Sequence, residues 1–301
     1  MDFTLERYIQ LLKSLIKAGY LFQSFAQFIE NPLSRVVIIR HDVDWLPQQS
    51  LKMASFESSL GVRGTYYFRT VPSAYNEEII CQIAKLRNEV GYHYEDMNRY
   101  TVRGVRHAEV DLAKISIESF ALNLKKLRKI VPVSTICMHG SPMSRWDSRL
   151  LWKYYDYHDF GIVGEPYFDV DFDKALYLTD TGRRWDGASV NIRDKASGVR
   201  CQVSGRTEGR GVILNKYSDW RVNPIPGSLM NMTQKSIDFQ NKYKFKSTFD
   251  IIEVAERGEL SNKIMITFHP QRWTDRPIPW VRELVWQNVK NAGKYFLVKI
   301  R

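Results

Sequence analysis

The sequence predicts an α/β fold in which a mainly parallel sheet closes into a (β/α) barrel. Three observations carry this. Strand-length apolar runs alternate with stretches of helical periodicity, such runs are numerous enough for a closed barrel, and long linkers are scarce. A length of 301 residues suits one barrel-sized domain, 1–301, with an N-terminal helix and an irregular loop region at about 165–225.

The first predicted element is a helix at 3–18, where Leu5, Ile9, Leu12 and Ile16 recur at steps of three and four. The branched run "VVII" opens a strand at 36–42, and a helix at 47–60 begins at Pro47. Aromatic and β-branched residues mark strands "GTYYFR" (64–69) and "EVGYHYE" (89–95), with helical periodicity at 75–88 and 104–130. Further strands are predicted at 134–140, 160–165, 175–180, 211–217 and 263–270. Helices are predicted at 144–156, 228–243, 247–257 and 280–292.

Composition narrows the function classes. With 44% hydrophobic and 26% charged residues, the chain has the balance of a soluble globular protein. The N-terminal helix has the pattern of neither a signal peptide nor a membrane span, so no integral membrane segment is expected. Cys81, Cys137 and Cys201 are isolated, which implies neither a disulfide framework nor a thiolate zinc site. A cytoplasmic location follows as an expectation. A formal charge of +11 suggests an acidic partner: a nucleotide-linked sugar, an anionic glycan, nucleic acid or an anionic membrane surface. Scattered basic residues and the lack of a recognition signature argue against nucleic acid.

In parallel β/α folds the C-terminal strand ends converge on one mouth, where the active site sits. Four predicted strands deliver polar groups there: "RHDVDW", "GYHYED", "MHGSP" and "TFHPQRW". Side chains two apart on a strand share a face, so Asp42 pairs with Asp44 and His93 with Glu95. Two adjacent carboxylates repel when both are ionised, and a divalent cation relieves that repulsion. His41 is out of phase with the aspartates and is expected to pack behind the strand. Asp44 has an alternative role as a cap for the helix near Pro47. His93, His139 and His269 all fall at strand ends, whereas His107 and His158 do not.

The set "RHDVD", "GTYYFR", "EVGYHYED" and "ITFHP" resembles the polysaccharide deacetylase (NodB-type) superfamily of metal-dependent carbohydrate esterases and amidases. More narrowly, it is similar to the H-D-V-D branch often associated with bacterial surface-polysaccharide and O-antigen biosynthesis, which "YLTDTGRRWDG" (177–187) also resembles. The resemblance implies a distorted (β/α) barrel of about seven parallel strands. It also implies a metal-dependent hydrolase that removes an acyl group, typically N-acetyl, from a sugar. By position it makes Asp42 the base, Asp44 and His93 metal ligands, and His269 the acid.

The sequence departs from the family pattern in two places: Val43 separates the aspartates, and Met97 stands where a second histidine of the second motif belongs. Glu95 or His139 could supply the missing ligand, giving a mixed N/O set suited to zinc among other divalent ions. The alternative is a carbohydrate-binding or assembly protein on the same barrel that has lost its metal. Trp45, Trp146, Trp185, Trp220 and Trp273 offer flat faces for sugar rings, or core packing. Arg183 and Arg184 are candidate contacts for phosphate or carboxylate groups of a nucleotide- or lipid-linked carbohydrate.

Overall fold

The branched run that opens "VVIIRHDV" lies where both of its faces can be buried. It forms strand β2, Val36–Val43, whose eight residues are all buried, in the middle of a seven-stranded sheet. Val36, Val37, Ile38 and Ile39 are fully enclosed, and each contributes about 1.5–3 kcal/mol of apolar burial. The computed structural model describes residues 1–99, 108–140, 146–185 and 234–300. The other strands are β1 (Leu21–Gln23), β3 (Thr65–Phe68), β4 (Glu89–Tyr94), β5 (Ile136–Met138), β6 (Leu176–Thr179) and β7 (Lys263–Phe268), in the order β5-β4-β3-β2-β7-β6. Every pair is parallel. β7 lies along one edge of β2, so β1, beside Val36–Ile38, and β3, beside Arg40–Val43, share the other edge in tandem.

The described residues form a curled parallel half-barrel, compatible with the expected distorted (β/α) barrel of about seven strands. The expected strand at 160–165 is not one. The segment makes a 3-10 helix, Tyr157–Phe160, that stops at Gly161 in the left-handed region (φ 66). Beyond it a single parallel bridge joins Gly164 to Thr135. With only Ile162 and Val163 between Gly161 and Gly164, the apolar run is too short for a ladder. Val170, Phe172 and Ala175 then join Val36, Ile38, Tyr67 and Met265 in one buried apolar cluster. The strand expected at 211–217 lies outside the described residues, as does most of the irregular region.

Helices surround the sheet. They include α1 (Leu5–Lys17), α2 (Phe25–Glu30), α3 (Pro47–Ser59), α4 (Glu77–Lys85), α5 (Asp96–Arg99), α6 (Glu109–Arg128), α7 (Pro166–Asp169), α8 (Gln234–Asn241), α9 (Thr248–Glu256) and α10 (Pro277–Ile300). α2 follows β1 directly and is fixed by a capping box between Ser24 and Gln27. The expected helix at 144–156 is a 3-10 helix, Ser148–Lys153. α3 starts from Leu46 in the left-handed region with no side-chain cap, so Asp44 does not serve as its cap.

Strand alternation divides the sheet into two environments. Val36, Ile38, Arg40 and Asp42 point into the half-barrel with Thr65, Tyr67, Glu89, Gly91, His93, Cys137, Met265 and Thr267. The lumen is thus apolar at its base and ionisable at its C-terminal rim. Gly91 is required by close approach: a Cβ there would stand 2.4 Å from two atoms of the Tyr67 ring. The ring crosses the lumen at that point, and its hydroxyl donates to Thr135 Oγ1 at 3.2 Å. The opposite face of β2 carries His41, which the structure buries behind the strand, with Nε2 2.6 Å from Glu57 of α3.

Glu165, at the start of α7, is fully buried and accepts the backbone N–H of Met138 at 3.0 Å. Burial pushes its carboxyl up to about 7, against the opposing pull of that hydrogen bond and of Arg40. Between the unfolded value of 4.5 and about 7 the folded chain therefore holds more protons than the unfolded one. Stability falls as pH rises through this window, by about 3 kcal/mol in full. Thermal melting from pH 5 to 8 should show the slope, and the difference curve against Glu165→Gln isolates it. A flat difference curve would remove Glu165 as its source.

Candidate metal centre

Four strands deliver the rim residues. β2 ends and the backbone turns back, Asp44 N–H donating to the Asp42 carbonyl at 3.1 Å, so both carboxylates stay on the lumen side. β4 brings His93 and, just past its end, Glu95. The N–H of His139 donates to the Tyr94 carbonyl at 2.8 Å, prolonging the β4–β5 pairing beyond Met138. β7 brings His269.

These elements bring three donor atoms together. Asp44 Oδ1 lies 3.0 Å from His139 Nδ1 and 3.7 Å from His93 Nε2, and the two nitrogens are 3.3 Å apart. A tetrahedral zinc with bonds of about 2.0–2.1 Å spaces its ligand atoms by about 3.3 Å, the scale of this triangle. Asp44 Oδ2 accepts from Gln271 at 3.3 Å, which leaves Oδ1 buried and without an aligned hydrogen bond.

The protonation states suit a cation. His93 Nδ1 sits 2.9 Å from the Cys137 carbonyl, an acceptor only, so Nδ1 carries the proton and Nε2 the lone pair. Burial depresses His93 to about 4, with the nearby His139 adding to the effect, so the ring is neutral at neutral pH. Burial pushes Asp44 up, but His139, His269 and His93 outweigh it and hold the carboxyl well below its usual range. The donor set of one carboxylate and two imidazoles fits zinc and equally other borderline divalent ions. His139 closes the triangle. Glu95 is instead engaged by Arg69 at 2.8 Å and flanked by Arg99 at 3.6 Å, and its Oε2 lies 3.8 Å from His139 Nε2.

A second group, Asp42, His93 and Cys137, also lies within ligand reach. It is the weaker donor set: burial raises the Cys137 thiol well above its usual value, and Asp42 is committed elsewhere. Arg40 grips Asp42 through two 2.7 Å hydrogen bonds. Burial raises this carboxyl, Arg40 and His93 lower it, and the outcome is about 2.

His269 is held by Asp180 through both its ring and its backbone. Its Nδ1 donates to Asp180 Oδ1 at 2.6 Å, and its backbone N–H to Asp180 Oδ2 at 2.9 Å. Arg272 and the Trp273 indole also donate to Asp180, at 2.8 and 2.7 Å. The His269 ring is thereby oriented with Nε2 as its free nitrogen.

Arg40, Asp180, Gln271 and Cys137 are the site residues that sequence reasoning missed. Arg40 shares a strand face with Asp42, so phase could have found it; Gln271 lies past β7 in a 3-10 helix, Pro270–Arg272, where strand phase does not reach. Asp180 ends a predicted strand, the same signal that marked the histidines.

The expected substrate contacts divide sharply. Trp45 is 37% exposed next to Asp44, and Arg184 is exposed. Three expectations are corrected. Trp273 is 0% exposed and serves Asp180. Trp185 packs near Phe3 and Phe268 and donates to Thr248. Arg183 is buried between the rings of Phe3 and Trp280, donating to the Trp280 carbonyl at 2.8 Å. Each lost its expected contact to the interior because a large flat side chain beside an apolar core gains more from packing than from solvent. Trp146 is half-buried against the core, His158 pairs with Asp156 on the surface, and Trp220 and His107 lie outside the described residues.

A scan against protein-family models found no match, and searches of curated proteins and of solved structures found none either.

Proposed function

We propose that this chain is a metal-dependent hydrolase that removes an acyl group, N-acetyl in the first instance, from a sugar used in surface-polysaccharide or O-antigen biosynthesis. The observation that carries the proposal is the Asp44–His93–His139 triangle, with Asp42 on one side and an Asp180-oriented His269 at the same rim. The resemblance in "RHDVD" and "ITFHP" supports the substrate class. Asp44, His93 and His139 would hold the cation, whose chemistry is Lewis acidity and the acidification of a water from about 15.7 toward about 7.

Asp42 remains ionised across the working pH range, and its nearer oxygen is 3.7 Å from His93 Nε2, at the edge of the triangle. As the proton acceptor it is weakly basic, so it takes a proton only from a water already made acidic. Its role is thereby tied to the metal. His269 is held by Asp180 through Nδ1, leaving Nε2 to donate a proton to the departing amine or alcohol. Arg40 keeps the Asp42 carboxylate pointed inward instead of toward solvent.

The test is acetate release from nucleotide-linked N-acetylhexosamines by zinc-loaded protein. Asp42→Asn should keep zinc affinity and lower turnover by about 10²- to 10⁴-fold. Zinc-loaded protein that releases no acetate from N- or O-acetylated sugars would favour the second reading, a non-hydrolytic carbohydrate-binding protein. That reading draws its support from Met97, which is fully buried in the outer core and offers the rim no ligand.

A further inference from the structure

α10, Pro277–Ile300, is amphipathic in the inverted sense. Its polar side chains Glu283, Gln287 and Asn291, spaced by four, are buried. Gln287 donates to Glu283 at 2.6 Å, and Asn291 to the Gly182 carbonyl at 3.0 Å. Trp280, on the same side, donates to the Asp2 carbonyl at 2.8 Å. The outward face carries Ile278, Val281, Val285 and Val289, with Trp286 beside them, each more than half exposed. Steps of three and four residues align the first four into one stripe about 16 Å long. A continuous exposed apolar stripe of this kind marks a contact surface.

The charges around the stripe indicate what it contacts. Arg276 and Arg282 are exposed, Lys290 stands 5.1 Å from the Trp286 ring centroid, and the one acid of the helix, Glu283, is turned inward. No acidic residue follows Glu283 to the end of the sequence, whereas Lys290, Lys294, Lys299 and Arg301 do. Two such faces brought together would repel, while an anionic surface complements them. Apolar residues with an interfacial tryptophan and flanking cations are the composition of a helix that lies in the headgroup region of a bilayer. Among the described residues no helix is long and apolar enough to cross a membrane, so contact would be with the surface.

We infer that α10 seats the chain on an anionic bilayer through Ile278, Val281, Val285, Trp286 and Val289. Asn291 of α10 donates to the Gly182 carbonyl, two residues past the Asp180 that holds His269, so the helix is joined to the segment that backs the rim of the half-barrel. If the hydrolase reading holds, that rim meets acyl sugars borne on lipid.

The test is co-sedimentation with vesicles of phosphatidylcholine alone and of phosphatidylcholine with phosphatidylglycerol, together with the solution mass of the protein. Neither readout requires catalysis, so this inference and the hydrolase reading fail separately. Wild-type protein should bind the anionic vesicles, release them at high salt and ignore the neutral ones. The triple variant Val281→Gln, Val285→Gln, Trp286→Gln should bind about tenfold or more weakly with unchanged melting temperature, since glutamine is at least as good a helix former as valine. The inference is overturned if neither vesicle binds or if the variant binds as well as wild type. A dimer that the variant dissociates, without vesicle binding, would assign the face to a second copy. A fall in the variant's melting temperature would make the face internal cover.

Discussion

Replacing His139 by alanine should lower zinc affinity by about a hundredfold or more, as should Asp44→Ala and His93→Ala. Protein zinc sites of four ligands have apparent binding free energies of about 10–16 kcal/mol, so one first-rank ligand carries about 3 kcal/mol. The expectation for His139 rests on geometry: Nδ1 lies 3.0 Å from Asp44 Oδ1 and 3.3 Å from His93 Nε2. Glu95→Gln is the discriminating control and should stay within about tenfold of wild type. Its carboxylate already satisfies Arg69, and freeing it for a metal would strand that guanidinium. Competition titration with a chromophoric chelator measures all four variants. Loss of affinity in Glu95→Gln with none in His139→Ala would exchange the two residues' roles, and unchanged affinity throughout would abolish the site.

How much of this was legible beforehand follows from the range of each interaction. Strand phase is local, so it placed Asp42 and Asp44 on one face and sent His41 to the other. The strand ends that carry His93, His139 and His269 were equally readable, because an apolar run that stops at a polar residue is a feature of a few neighbouring positions. The choice between Glu95 and His139 was not, since it depends on Arg69 reaching Glu95 from β3 and on the β4–β5 register. Arg183, Trp185 and Trp273 misled for a related reason. Aromatic and guanidinium groups in a loop suit a binding surface or a core equally well, and only the arrival of Phe3, Asp180, Thr248 and Trp280 from distant segments decides. That the run at 160–165 adds no strand was likewise illegible: Gly161 and the brevity of the run after it convert a plausible strand into a turn with one bridge.

Glu57→Ala should cost about 3–5 kcal/mol of stability although Glu57 lies on the far side of β2 from the site. Its side chain is fully buried and accepts from three groups: the Tyr8 hydroxyl, the Tyr66 hydroxyl at 2.8 Å and His41 Nε2 at 2.6 Å. Burial, reinforced by the Glu57 carboxylate, holds both phenols well above their usual values, so they remain neutral donors. Truncation leaves all three donors without their shared acceptor, and an unsatisfied buried donor costs about 1–3 kcal/mol. Against a total stability of roughly 5–15 kcal/mol the loss is large. Denaturant midpoints with m-values read it directly, and a Glu57→Ala variant within about 1 kcal/mol of wild type would show that the cluster is not holding α1, α3 and β3 to the back of β2. Zinc affinity per folded molecule should change only a few-fold, because strand alternation sends Glu57's partner His41 outward while Asp42 and Asp44 remain on the lumen side.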